Sequence, residues 1–329
     1  MAAPRTAAGQ PQELPQELPR ELPVIGFLHP AAVESYVSNA AGFARGLKER
    51  GFAEAQNVAV EYRFANGRLE QLAPLAADLG SRPLALIVAG GAAAAIAAKA
   101  ATSTVPIVLV SGFDPAALGL AASLSHPGGN VTGVTFTTAG LMSKKLDLLR
   151  ELVPGATTIG YLSEDGRVYG SGSAISRATE DLKSEMIAAA GASGRQVVVA
   201  EIDDDRDYFT AFDAFAERRA GALVVAPSAV FANDADEIIA LAERRAIATI
   251  FERRADVVAG GLISYGASRI DAWRQGGIYA GRILQGGTPA DMPVMESAKL
   301  ELIINQPTAK SLGLAIPPNL LARADEVIQ

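Results

Sequence analysis

Cysteine is missing from all 329 residues, which removes disulfides, thiolate zinc sites, iron–sulfur clusters and a cysteine nucleophile. Histidine is nearly missing: His29 and His126 stand in different loops, and neither has a partner at metal-ligand spacing. Aromatic residues amount to 6%, with a single tryptophan. Positive charge is in deficit, and a formal net charge of −7 has the wrong sign for a chain that grips phosphate backbones. Phosphate and acyl-transfer motifs are absent as well. There is no Walker A loop and no G-x-S-x-G elbow, the GSGS at 170–173 being only superficially similar. The dinucleotide G-x-G-x-x-G is lacking too, since the turn after VIGFL (24–28) runs His29-Pro30-Ala31. Nor is there a long unbroken apolar run. LALIVAGGAAAAIAAKAA (84–101) is interrupted by Gly90-Gly91 and carries Lys99, whereas a bilayer helix needs ~20 strongly apolar residues. That stretch reads as a buried strand, a glycine turn and an Ala-rich helix.

What is present is ample apolar material, 49% of the chain, in a length that suits two domains. Residues 1–23 stand apart, with Pro at 4, 11, 15, 19 and 23 and a repeated QELP at 12–15 and 16–19. They read as a flexible leader without the apolar h-region of a signal peptide. From residue 24 short apolar runs alternate with helical segments, the mark of a parallel α/β sheet. Strands are expected at 24–28, 57–64, 84–89, 106–110 and 131–136, with helices at 36–50 and 68–80. The rhythm restarts with strands at 157–162, 197–202, 222–226, 248–251, 262–266 and 300–305. Helices are expected between them at 139–152, 173–191, 207–219, 232–245 and 270–285. Two α/β units of similar size follow one another.

Small polar loops follow several strands, on the sheet edge where open α/β folds bind ligands. They are Gly90-Gly91, Ser111-Gly112-Phe113-Asp114-Pro115, Pro227-Ser228 and Ser264-Tyr265-Gly266, and His29 ends the first strand in the same way. Glycine there lets a ligand approach the backbone, and helix N-termini beyond the loops present free N–H groups. The triplet Asp203-Asp204-Asp205 reads as a solvated loop, and the pairs Arg218-Arg219 and Arg244-Arg245 as helix ends, whereas Arg253-Arg254 fits that reading less well because it directly follows a strand.

The order VIGFL, GFARGLKERGF (42–52), NVAVEYRFANGR (57–68), LIVAGG (86–91), ATSTVPIVLVSGFDPAALGL (101–120) and HPGGNVTGVTF (126–136) resembles one family. The second half agrees in KKLDLLRELVPGA (144–156), GGLISYGA (260–267), YAGRILQGGTPADMPV (279–294) and LELIINQPTAKSLGLAIPPNLLARADEVI (300–328). These motifs are similar to the ABC-transporter substrate-binding proteins whose relatives bind tryptophan or other aromatic amino acids. The resemblance implies a type I periplasmic binding fold, two Rossmann-like lobes with parallel sheets joined by three crossovers. On that template lobe 1 takes 24–134 plus 263–295, and lobe 2 takes 135–262 plus 296–329. It implies an extracytoplasmic, periplasmic binding protein, expected to be a monomer without cofactor, metal, catalytic residues or nucleic-acid partner. Its partners would be a small-molecule ligand and an ABC permease. The ligand-lining set on this template is His29, Ser35, Tyr36, Gly90, Gly91, Ala92, Ser111, Asp114, Pro115, Thr135, Pro227, Ser228, Ser264 and Tyr265. One departure stands out. Relatives that bind aromatic amino acids tend to carry Asp after the Pro of the lobe-2 strand, suited to an ammonium, and here Ser228 follows Pro227. Asp114 could supply that charge, or could cap the helix that Pro115 opens. A sensor domain or a Rossmann-like enzyme are the alternatives. The 23-residue leader is too short and Pro-rich for a helix-turn-helix, and no nucleotide-phosphate loop or acid/base pair is present.

Overall fold

The computed structural model describes residues 22–33, 37–136, 140–170 and 172–329. Nearly all of the Pro-rich leader lies outside these, as do Ser35 and Tyr36. The first half runs β1 (Val24–His29), α1 (Val37–Glu49), β2 (Ala59–Phe64), α2 (Leu72–Gly80), β3 (Leu86–Gly90), α3 (Gly91–Ala101), β4 (Ile107–Ser111) and β5 (Val131–Phe136). Every residue of β3, β4 and β5 is buried, because helices cover both faces of the sheet, and this is why they read as continuous apolar runs. The second half continues with α4 (Met142–Leu152), β6 (Thr158–Glu164), α5 (Ala174–Ala192), β7 (Gln196–Ile202), α6 (Tyr208–Glu217) and β8 (Ala222–Val225). Then come α7 (Ala229–Asn233), α8 (Ala235–Arg244), β9 (Ala248–Phe251), α9 (Arg254–Val258), β10 (Ile263–Ala267) and α10 (Arg269–Leu284). The chain ends with β11 (Met295–Ser297), β12 (Leu300–Asn305), α11 (Gln306–Ser311), α12 (Pro318–Arg323) and β13 (Glu326–Ile328).

Two sheets result. The first has the order β11-β5-β4-β3-β1-β2, all neighbours parallel. The second has the order β13-β12-β10-β9-β8-β6-β7, parallel except for the β10–β12 pair. Each sheet has its own core: Phe27, Val88 and Trp273 pack on one face of the first and Leu28, Ile87 and Leu109 on the other. Tyr161, Phe212 and Ile250 belong to the second.

Three crossovers join the sheets, and one is displaced from expectation. The segment 263–267, expected in the first lobe, belongs to the second sheet, where β10 bonds to β9 and β12. The chain returns to the first sheet after Ala267, where α10 packs along α1. It leaves the first sheet initially after Phe136 and finally after Ser297, since β11 pairs with β5. An apolar strand pattern is equally at home in either sheet, so only hydrogen-bond partners assign it. The helix expected at 232–245 is two helices that meet at Asp234. Edge strands β11 and β13, three residues each, are too short to show a period.

Candidate functional site

The C-terminal ends of β1, β3 and β4 face those of β6 and β8 across a cavity of about 130 Å³. A single water needs only ~10–15 Å³, so the cavity has room for a small organic molecule. Its lining combines Gly90, Ser111 and Phe113 from the first half with Tyr161, Glu164 and Ser228 from the second.

One wall is aromatic. The Trp273 ring lies 5.5 Å from Phe27 and 5.9 Å from His29, centre to centre. Gly90 makes this stacking possible: a Cβ there would sit 2.2 Å from His29 Cδ2 and 3.0 Å from the Trp273 ring. His29 Nδ1 accepts the Ala31 N–H at 3.1 Å, which leaves the proton of the neutral ring on Nε2. Burial, with Arg269 and Arg253 nearby, pushes the imidazole down to about 3, so the ring is neutral at physiological pH. Phe136 adds a further ring, and the Arg269 guanidinium carbon lies 5.0 Å above its centre.

The charged groups are paired. Arg253 Nε donates to Asp256 Oδ2 at 3.0 Å and its Nη2 to Oδ1, while Arg269 Nη2 donates to Glu252 Oε1 at 3.2 Å. Both carboxylates are buried, so the two guanidiniums bring donors to the cavity wall with their charge balanced. Tyr161 is fully buried on that wall. Glu164 ends β6. Its Oε2 accepts the Tyr169 hydroxyl at 2.7 Å, and Ser228 lies beside it. Burial pushes the Glu164 carboxyl above its ordinary value against the pull of these hydroxyls. Ser228 also accepts from Val230 N at 2.9 Å and so caps α7.

Two hydrogen bonds close the rim between the halves. Ala32 N donates to Asn233 Oδ1 at 3.0 Å, and Arg206 Nη2 donates to the Gly67 carbonyl at 2.9 Å. Asp234 steadies Arg206 at 3.4 Å and accepts the Tyr208 hydroxyl at 2.7 Å.

A cleft of this kind between two parallel sheets serves many proteins, and sequence decides among them. The family of ABC transporter substrate binding proteins matches residues 24–328. The chain belongs to that family. A tyrosine-binding protein of Clostridioides difficile (strain R20291) is 25% identical over 273 residues, 83% of this chain and 76% of the relative. Among solved structures, an ABC domain in complex with L-Trp from Streptococcus pneumonia has a TM-score of 0.82 at 25% identity, covering 94% of this chain and all of its own. The ligand-free, open structure of a Clostridium difficile substrate binding protein scores 0.65 at 24% identity, again covering 94% of this chain and 100% of that one.

In this substrate-binding protein the expected site residues divide. His29, Gly90, Gly91, Ala92, Ser111, Pro227 and Ser228 line the cavity together. Asp114 does not: it is exposed, and its Oδ1 accepts the Ala116 N–H at 2.7 Å within a run of turns, where the expected helix does not form. Pro115 is buried, and its carbonyl accepts the Leu120 N–H. Thr135 Oγ1 donates to the Phe113 carbonyl at 3.2 Å and thereby positions the loop that carries Phe113. Ser264 and Tyr265 lie inside β10, which runs on to Ala267 and so keeps them from the strand end. Ser264 borders a second, smaller cavity, and Tyr265 packs on the core of the second sheet.

Sequence reasoning passed over Arg253, Arg269, Trp273, Phe136, Tyr161, Glu164 and Tyr169, all on the cavity wall. The strand-end rule applied to β6 and β9 would have found Glu164 and Arg253, which end or follow those strands. Arg269 and Trp273 lie in the first turns of α10, and nothing local distinguishes them from an ordinary helix start.

Proposed function

We propose that this chain is the extracytoplasmic solute-binding component of an ABC importer, which captures an aromatic, amino-acid-like molecule between its lobes and closes on it by hinge motion. The observation that carries this is the cavity itself, walled by Trp273, Phe113 and Phe136 and reached by polar groups from both sheets. Aromatic rings supply contact area to a planar ligand. The Arg253 and Arg269 donors and the N-terminus of α3, where Gly90 offers no side-chain cap, suit a carboxylate. The L-Trp complex and the tyrosine-binding relative support the same ligand class.

Hinge motion would act at the three crossovers, after Phe136, Ala267 and Ser297. Arg269 begins α10 one residue beyond the second of them and bonds to Glu252 of the other half, so ligand contact and hinge angle share a residue. The reading includes a permease as partner, a periplasmic location and no turnover of the ligand. Its test is a thermal-shift screen with amino acids, aromatic acids and small sugars, followed by recovery of the ligand after incubation. An aromatic amino acid should raise the melting temperature by mass action and be recovered unaltered. Stabilisation by sugars alone, or a protein-dependent product, would contradict it.

A further inference from the structure

Buried carboxylates surround the cavity, and their partners differ in kind. Asp256 is held by Arg253 and Glu252 by Arg269, each an ion pair between a buried carboxylate and a part-buried guanidinium. Glu164 is 5% exposed and is the one carboxylate among the described residues that lines the main cavity. Its hydrogen-bond partner is the Tyr169 hydroxyl, with Ser228 beside it. The cation next to it, Arg206, is committed to Asp234 and to the Gly67 carbonyl. A carboxylate has about four acceptor positions, of which the Tyr169 hydroxyl takes one. That bond orients the carboxylate and leaves acceptor capacity without supplying a positive charge. A desolvated anion without a counter-charge is unfavourable unless something cationic arrives.

We propose that Glu164 recognises a protonated amine on the ligand, so that the cavity selects aromatic molecules that carry an amino group over otherwise identical ones that lack it. This rests on the reading of the cavity as an aromatic ligand site and adds the chemistry at one end of it. Asp114, the other carboxylate considered for this role, faces solvent and holds a turn. Ser228 takes the place where an acidic residue would sit after Pro227 and lies beside Glu164 at the neighbouring strand end.

The experiment is titration calorimetry of the wild type and of Glu164→Gln with L-tryptophan, L-tyrosine and L-phenylalanine and with their desamino counterparts. Those counterparts are indole-3-propionate, 3-(4-hydroxyphenyl)propionate and 3-phenylpropionate. The wild type should bind at least one amino acid more tightly than its counterpart. Glu164→Gln keeps the shape and an acceptor oxygen for the Tyr169 hydroxyl, and should weaken the amine-bearing probe by about ten- to a hundredfold while leaving the desamino probe unchanged. Unchanged affinity of Glu164→Gln for the amine-bearing probe overturns the proposal. So does a wild type that prefers the desamino series, although the aromatic-site reading then survives. Failure of the wild type to bind any of the six compounds defeats the aromatic reading itself, and the proposal with it. Should Glu164→Gln not melt cooperatively, Tyr169→Phe removes the hydroxyl that orients the carboxylate. It should weaken the amine-bearing probe several-fold and spare the desamino one, and equal losses on both overturn the proposal.

Discussion

His29 carries a testable consequence for stability at low pH. Its imidazole is pushed from 6.5 down to about 3 by burial and by the two nearby guanidiniums, so the folded chain resists a proton that the unfolded chain accepts. Stability from this residue is therefore complete above pH 6.5 and is lost progressively as pH falls toward 3. The sum over that window is on the order of 5 kcal/mol. His29→Asn retains an acceptor for the Ala31 N–H but does not titrate. Urea midpoints measured between pH 7 and 4 should fall less steeply for the variant than for the wild type. Parallel slopes would show that His29 is not the titrating group.

At the scale of elements, the pairing of α1 with α10 delivers Arg269 and Trp273 to the cavity, and glycine sets its distance. A Cβ on Gly277 would lie 2.1 Å from the Phe43 carbonyl oxygen, and one on Gly46 would lie 1.8 Å from that of Arg274. Backbone cannot yield as a side chain does, so Gly277→Ala must push the helices apart. The expected loss is about 1–3 kcal/mol, with weaker ligand binding because Trp273 moves with α10. Gly191, in the last turns of α5, has nothing within 4 Å of its notional Cβ. There the same substitution relieves only backbone entropy and should stabilise by ~0.5–1 kcal/mol. Denaturant midpoints of the two variants should move in opposite directions. A stabilised Gly277→Ala would refute the close helix contact.

For the whole molecule, the rim bonds Arg206–Gly67 and Asn233–Ala32 join the two halves outside the cavity lining. If the halves close on a ligand as proposed, these bonds favour the closed arrangement and should raise the affinity of every ligand by a common factor. Arg206→Ala removes one of them and should weaken all ligands about five- to tenfold, a net hydrogen bond being worth ~1–1.5 kcal/mol. The melting temperature of the ligand-free protein should hardly change, while small-angle scattering should show a larger radius of gyration. A change in ligand preference, in place of a uniform loss, would place Arg206 in direct contact with ligand and refute the latch.

The alternation of strands and helices was legible in the sequence because it is written in local periodicity and turn chemistry. VIGFL, LALIVA and PIVLV are apolar at nearly every position since a sheet covered on both faces admits little else. The edge on which the cavity lies was legible too, and with it His29, Gly90, Ser111 and Ser228 of its lining, because parallel strands all point their C-terminal ends the same way. Motifs distributed from 24 to 328 were enough for the family. Tertiary structure alone decided three further matters. It placed β10 in the second sheet, since pairing partners lie 13 or more residues away and an apolar strand has no local mark of its neighbour. It set Asp114 in an exposed turn away from the cavity, with no helix to cap, although its side chain serves a cap or a ligand equally well until its surroundings are known. It buried Glu164 and part-buried Arg253 and Arg269 beside buried carboxylates, although charged residues in a sequence read by default as solvated, because burial of a charge depends on partners that the chain brings together only on folding.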